Sequence, residues 1–443
     1  MAEVKRIKKG LDIHLYGAIP NKEAEELLAS EFAIVPDDYL GYIWKLDVKV
    51  GDKVQKGSPI LHDKDLAKIN ICSPVSGYVR DIVRGERRKI EAVVIEKDDS
   101  NEEVLHIKPT VAAEIIDLLC RSGLWAMMRQ RPYDIIPNPD VKPRDIFVTA
   151  FDSSPLASEI LTSNYTRILE VGLKTLSKLT DGKVYLGVKY GSGISSTVAN
   201  VTEYYGPHPA GNVGVQIAAI KPINKGEVVW SLDARTVERI GYLMEYGTFD
   251  SSAVVAITGE KVCRPRLVKT NIGVSISSLL TNNINDDCDV RIISGNVLTG
   301  YKVNLNDGFL RYPYRQVTVI PEGNTADEFM GWASVNPMRY SVKHWFPAFL
   351  RGLSKQFSFD ARLKGGERAM IVSGEYDKVF PMDIYPEYLI KAILAFDIDK
   401  MEQLGIYEVA PEDFALAEFV DTSKLELQRI VREGLDKLYK ELN

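Results

Sequence analysis

The chain has 443 residues, 45% hydrophobic and 26% charged, with a formal net charge of −6, the balance of a soluble globular protein long enough for about three or four domains. Its basic runs (Lys8-Lys9, Arg87-Arg88-Lys89) are short and isolated, so no nucleic-acid partner is predicted; no apolar run approaches the ~20 residues of a membrane span, and MAEVKRIKKGLDIHLYG lacks the apolar core of a secretory signal. The four cysteines (Cys72, Cys120, Cys263, Cys288) form no CxxC and the five histidines (His14, His62, His106, His208, His344) form no HxxxH, which leaves no recognisable iron–sulfur or structural zinc site.

An N-terminal segment, residues 1–30, leads into a module expected over 31–105. There VKVGDKVQKGSPILHDKDLAKINICSPVSGYVRDIVRGERRKIEAVVIE (Val48 to Glu96) places glycines in tight turns at Gly51, Gly57, Gly77 and Gly85, between segments that alternate apolar and charged residues. Two such halves related by a pseudo-dyad predict a flattened barrel-sandwich hybrid whose connecting hairpin falls near Lys64-Asp65-Leu66. The layout is similar to biotinyl and lipoyl carrier domains, but Leu66 stands at the carrier-lysine position counted back from Pro74. Lys64 and Lys68 are out of register, and side chains alternate faces along a strand. Modification is therefore not expected, and the module reads as a docking scaffold.

Residues 106–250 read as a Rossmann-like α/β domain. Thr110 is placed to cap a helix whose stripe is Val111, Ile115, Leu118 and Leu119, stopped by Ser122-Gly123. A loop rich in proline and arginine follows, GLWAMMRQRPYDIIPNPDVKP, expected at the surface. A strand is predicted at Ile146 to Ala150, further strands in KVYLGVK and VGVQIAAI, then a strand and a helix in VVWSLDARTVERIGYLMEYG, capped by Asp233 and closed at Gly247. This alternation implies a parallel sheet whose ligands would sit beyond the strands' carboxyl ends, near Asp152-Ser153-Ser154 or GPHPAGNVG (Gly206 to Gly214). From about residue 251 to 330 the order strand, turn, strand, short helix after Gly273, strand suits a β-grasp (SLBB-like) domain. Residues 331–443 are expected to be helical, ending in an apolar stripe of Leu427, Ile430, Val431, Leu435 and Leu438.

The segments IKKGLDI (7–13), DYLGY (38–42), GLW followed by RQRP (123–132), FVTAFDSSPLA (147–157), GPHPAG (206–211), ISGNVLTG (293–300) and RAMIVSGEYDKVFPMDIYP (368–386) occur in one order. Together they resemble the A-subunit family of Na+-translocating NADH:quinone oxidoreductases over nearly the whole chain. The resemblance implies a peripheral subunit on the cytoplasmic face of the bacterial inner membrane, in a translocase that couples NADH oxidation by quinone to Na+ export. It implies the other subunits as partners, above all the membrane-embedded B-subunit. NADH, flavins and Na+ would be handled elsewhere; this chain would bind none of them and would not be catalytic in isolation, and ubiquinone or menaquinone is the ligand it could meet. The family is also similar in architecture to flavin-carrying subunits of large respiratory NADH dehydrogenases. Where those have a glycine-rich phosphate loop, this chain has Leu124-Trp125-Ala126-Met127-Met128-Arg129-Gln130-Arg131, whose side chains would block close backbone approach to a phosphate.

Five residues are candidates for lying near a quinone. Trp125, Arg129 and Arg131 combine an indole with two guanidiniums able to bond a carbonyl and stack on a ring; a surface pair facing another subunit is the competing reading. Tyr39 adds an aromatic near the sandwich, and His208 in GPHPAGNVG offers a donor, against a rigid Pro/Gly loop as the plainer alternative. Asp152 and Ser153 read as helix caps. The remaining alternatives for the whole chain are a soluble flavin-dependent NADH dehydrogenase subunit, which the missing glycine loop disfavours, and a biotinyl or lipoyl carrier, which Leu66 disfavours.

Overall fold

A computed structural model describes residues 3–21, 23–98, 111–158, 165–285, 287–324, 340, 342 and 356–442. Two short strands, β1 (Glu3–Arg6) and β2 (Ala24–Glu26), precede the sandwich. That module holds β3 (Glu31–Ile34), β4 (Trp44–Leu46), β5 (Lys53–Val54), β6 (Pro59–Asp63), β7 (Asn70–Cys72), β8 (Gly77–Arg84) and β9 (Ile90–Lys97). They form a sheet in the order β3-β9-β8-β5 and a second in the order β4-β6-β7. Phe32, Ile60, Leu61, Ile69, Val79, Val93 and Ile95 are buried among its core residues. The β6–β7 hairpin turns at 64–69, tied down by buried Asp63, which accepts from Ile43 N (3.0 Å), Asp65 N (3.0 Å) and Leu66 N (2.6 Å). Lys68 pairs with Asp140 at 3.0 Å, so this hairpin is docked on the neighbouring domain.

The α/β domain comprises α1 (Ala112–Arg121), β10 (Arg129–Arg131), β11 (Ile146–Thr149), α2 (Tyr165–Leu176), β12 (Val184–Lys189), β13 (Asn200–Tyr205), α3 (Val213–Ile220), β14 (Val229–Asp233) and α4 (Ala234–Tyr246). Its sheet runs β1-β13-β12-β11-β14-β10, parallel except for β10. Asp233 caps α4 by accepting from Thr236 N, and Gly247 ends it with φ 73°, as its sequence pattern predicts. Thr110 lies outside the described residues. VGVQIAAI, expected as a strand, is instead helix α3, and the strand of that position is NVTEYY. A short apolar run has no period that separates strand from buried helix. Here both sides are covered: Val215 packs in the C-terminal core and Ile217 on the sheet.

The β-grasp domain has β15 (Ser252–Thr258), β16 (Arg266–Asn271), α5 (Ile276–Leu280), β17 (Val290–Ser294), β18 (Tyr301–Val303) and β19 (Gln316–Pro321). Its sheet order is β18-β17-β19-β15-β16-β2. Strands β1 and β2 thus extend the edges of two different sheets, and the N-terminal segment ties the α/β and β-grasp domains together. The C-terminal helices are α6 (Tyr376–Val379), α7 (Pro386–Ala395), α8 (Ile398–Gln403), α9 (Ala415–Val420) and α10 (Leu427–Leu442). Residues 331–339, where helix was expected to begin, lie outside the described residues, and 356–375 are non-helical. Leu427, Val431, Leu435 and Leu438 are fully buried in the C-terminal core; α10 crosses α7 so closely that a Cβ on Gly434 would meet Ile393 Cγ2 at 2.5 Å. No described helix is long and apolar enough to cross a membrane.

Candidate functional site

The segment from Gly123 to Arg131 threads between the sandwich and the edge of the α/β sheet, and is not the surface loop its composition suggests. Gly123 (φ +79°) packs on Cys72, whose N and Sγ would lie 3.1 and 3.2 Å from a Cβ at that position. Trp125 is fully buried; its Nε1 donates to Pro137 O at 2.8 Å and its ring meets Trp230 edge-on at 5.1 Å. Strand β10 then pairs antiparallel with β14. Proline and arginine predicted exposure, but these arginines find their acceptors inside the chain.

Arg129 is half-buried where three domains meet. Its Nη2 donates to Asp38 O (2.7 Å) and its Nη1 to Ala126 O and Met128 O (both 3.2 Å). Its guanidinium lies 6.0 Å from the centre of the Tyr312 ring, which stacks on Tyr39 at 5.3 Å and 5°. Beside this stack the Asp38 carboxylate accepts from Arg311 Nε (2.7 Å) and Tyr312 N (3.0 Å). Burial pushes Asp38 up from the ordinary 3.8 to about 6, against the pull of Arg311 and Arg129. Arg311 is itself raised by Asp38, as an attractive pair requires. The directions are compatible because burial, not the pairing, raises the acid. Burial likewise raises both phenols, Tyr39 above its ordinary range and Tyr312 to about 12, so both hydroxyls are protonated at neutral pH.

Arg131 turns to the C-terminal domain and shares none of its partners with Arg129. Its Nη1 donates to Asp413 Oδ2 (2.6 Å) and Glu408 O (2.8 Å), and its Nη2 to Glu412 Oε1 (3.1 Å). Arg131 and Asp413 side chains are each 1% exposed. Burial would lower the guanidinium's affinity for its proton, but the carboxylates of Asp413, Glu412 and Asp134 together outweigh it and keep the charge. Burial and the Asp413 carboxylate push Glu412 upward; since that side chain is 43% exposed, the adjacent carboxylate is the firmer cause. Arg131 is therefore a buried strut between domains, not a surface arginine.

His208 is buried at the carboxyl edge of the parallel strands. Gly211 N donates to Ser153 Oγ (2.8 Å), whose hydroxyl lies 3.0 Å from His208 Nδ1. The hydroxyl has a second lone pair and a proton, so it can accept from Gly211 N and still pair with the imidazole. Burial holds the ring below its ordinary range despite Asp152 and Asp12, so it is neutral and able to accept. Thr149 Oγ1 donates to Gly211 O (2.9 Å) and receives Gln216 Nε2 (3.0 Å). Ser153 is thus a bridge between two loops, and Asp152 accepts from Ser154 N at 2.8 Å; neither caps a helix among the described residues.

The structure joins Tyr39 to Arg129 through Tyr312, leaves Trp125 on Pro137 and Trp230, and joins Arg131 to the GPHPAGNVG loop, since Gly214 rests on the Arg131–Asp413 pair. Sequence reasoning missed Asp38, Arg311, Tyr312 and Asp413. Three had a signal: Arg311 and Tyr312 lie in Arg311-Tyr312-Pro313-Tyr314-Arg315, which interleaves cations and aromatics, and Asp38 adjoins Tyr39. Among the described residues no group of His, Cys, Asp and Glu could hold a metal ion.

A barrel sandwich, a doubly wound sheet, a β-grasp sheet and a helical tail define a multidomain α/β protein. The chain belongs to the NqrA family, the A-subunits of Na+-translocating NADH-quinone reductases. Residues 5–98 match the NqrA N-terminal barrel-sandwich hybrid domain, 110–249 the NqrA second alpha/beta domain and 254–304 the NQRA C-terminal domain. The A-subunit of the Rhodopirellula baltica reductase is 35% identical over 99% of this chain and 98% of its own. That of Pasteurella multocida is 36% identical over 98% and 99%.

Proposed function

We propose that this chain is the peripheral A-subunit of a complex that oxidises NADH with quinone and exports Na+, and that it contributes structure and a quinone-proximal surface rather than a flavin. The observation that carries this is full-length similarity to proteins named as that component. The other subunits are its partners, the membrane-embedded B-subunit first among them, and the cytoplasmic face of the inner membrane is where it docks. NADH, flavins and Na+ stay with those partners. The bulky side chains of Trp125, Met127 and Met128 in the loop position support a chain without flavin, and the Lys68–Asp140 pair supports a docked hairpin over a carrier arm.

Ubiquinone or menaquinone approaches at the Tyr39–Tyr312–Arg129 junction. An aromatic stack offers a face to the ring, and the guanidinium beside it suits a carbonyl oxygen. Trp125, Arg131 and His208, the other candidates, are buried and bonded within the chain, where they hold their own loops in place. The test is an assembled complex prepared with and without this chain. Without it, NADH should still reduce an artificial acceptor while quinone reduction is lost; undiminished quinone reduction would overturn the proposal.

A further inference from the structure

Helix α3 begins just after parallel strand β13 and the Gly206–Asn212 connection, beyond the carboxyl end of that strand. The first N–H groups of a helix have no partner within it and sit at the positive end of its dipole. The turn is uncapped by its own side chain, since Asn212 makes no capping bond. Instead, the C-terminal domain presents a carboxylate there. A Cβ on Gly214 would lie 2.5 Å from Asp413 Oδ1, 2.7 Å from Asp413 Oδ2 and 2.6 Å from Arg131 Nη1. The backbone thus rests directly on the ion pair, the close approach that glycine gives a phosphate.

The carboxylate fills this place incompletely. Its Oδ2 accepts from Arg131 Nη1 (2.6 Å) and Ala410 N (2.9 Å). Its Oδ1, and Arg131 Nε, are buried with no hydrogen-bond partner. A buried donor and acceptor left over in one cluster are costly. A tetrahedral anion has more oxygens than a planar carboxylate, and so could bond the Arg131 guanidinium beside Gly214 and the first N–H groups of α3 at once.

We infer that the α3 N-terminus, Gly214 and Arg131 form a phosphate seat that Asp413 occupies from within, closing the α/β domain to phosphate-bearing ligands. Glu412 remains on Arg131 Nη2 at 3.1 Å, so an entering anion faces one carboxylate rather than two once Asp413 is removed.

The experiment follows thermal unfolding of the full chain in inorganic phosphate and in chloride of equal ionic strength, for wild type, Asp413→Ala and Asp413→Asn. Wild type should not distinguish the salts. Asp413→Ala should melt lower in chloride and recover with saturation in phosphate, by roughly 3 °C once phosphate is about tenfold above its dissociation constant. Adding Arg131→Ala should abolish the recovery. Repeating the titration with ADP tells a nucleotide's phosphate from the free ion by which acts at lower concentration, and a response to either supports the seat. Phosphate stabilising wild type as much as the variants, or folded variants indifferent to both ligands, overturns the inference. If neither variant folds in chloride, refolding yield is read instead, and no gain in phosphate overturns it equally.

Discussion

Replacing Asp38 by Asn isolates the charge at the three-domain junction. The side chain is 3% exposed and lies 2.5 Å from Arg311 Nη2. Its carboxyl is raised from 3.8 to about 6 by burial. A folded value above the unfolded one means that the folded chain holds the proton more tightly. The stability Asp38 contributes is therefore complete below about pH 4 and is lost as pH rises through about 6. At about 1.4 kcal/mol per pH unit, a rise of about two units corresponds to ~3 kcal/mol. Asn does not titrate, so the difference between wild type and Asp38→Asn should decline by roughly that amount from pH 4 to pH 7. In a chain of several domains a single unfolding free energy is ill-defined. The assay is therefore amide hydrogen exchange of peptides covering 36–46 and 308–316, which reads local opening. A flat difference would refute the argument. A difference that grows with pH would mean that the arginines, not burial, dominate the carboxylate.

In the assembled complex, Arg129→Ala should weaken quinone or inhibitor binding ten- to a hundred-fold, about 1.5–3 kcal/mol for a charged hydrogen bond, with NADH-to-flavin transfer unchanged; unaltered affinity with weakened assembly would make Arg129 an adhesive between domains or subunits. Arg131→Ala should instead cost about 3–5 kcal/mol of stability, because it strands a buried carboxylate, and a melting temperature equal to wild type would contradict the strut. At the crossing of α2 and α4, a Cβ on Gly172 would run into Val237 O. Gly172→Ala should therefore destabilise by roughly 1–3 kcal/mol despite alanine's better helix propensity, and a raised melting temperature would show that the helices can part. Lys64→Arg and Lys68→Arg should leave the assembled enzyme active and the intact mass free of any adduct; an inactive variant that assembles normally would revive the carrier reading.

Much of the fold was legible because its signals are local. A cap and a stop bracket α4 within one segment, the GDKVQKG turn needs φ > 0 at its glycines, and the stripe on α10 repeats at helical spacing. The β-grasp strands and the short helix after Gly273 were read in their observed order for the same reason. The site was less legible. Tyr39, Trp125, Arg129, Arg131 and His208 were chosen for their chemistry, yet all but Arg129 are buried, and each arginine has at least one acceptor far away in the sequence, Asp38 O for Arg129 and Asp413 for Arg131.

Sequence alone determined the order of the modules and the family, since periodicity, turn residues and many short segments in register are properties of neighbours along the chain. Only the tertiary structure decided that VGVQIAAI coils into α3, because an apolar run takes its conformation from what covers it. The same holds for β1 and β2, which complete sheets built mostly from residues far downstream. Arg131 meets Asp413 across a separation of 282 residues. A buried charge must find its counter-charge wherever the fold brings one, and no spacing in the sequence records which carboxylate that will be.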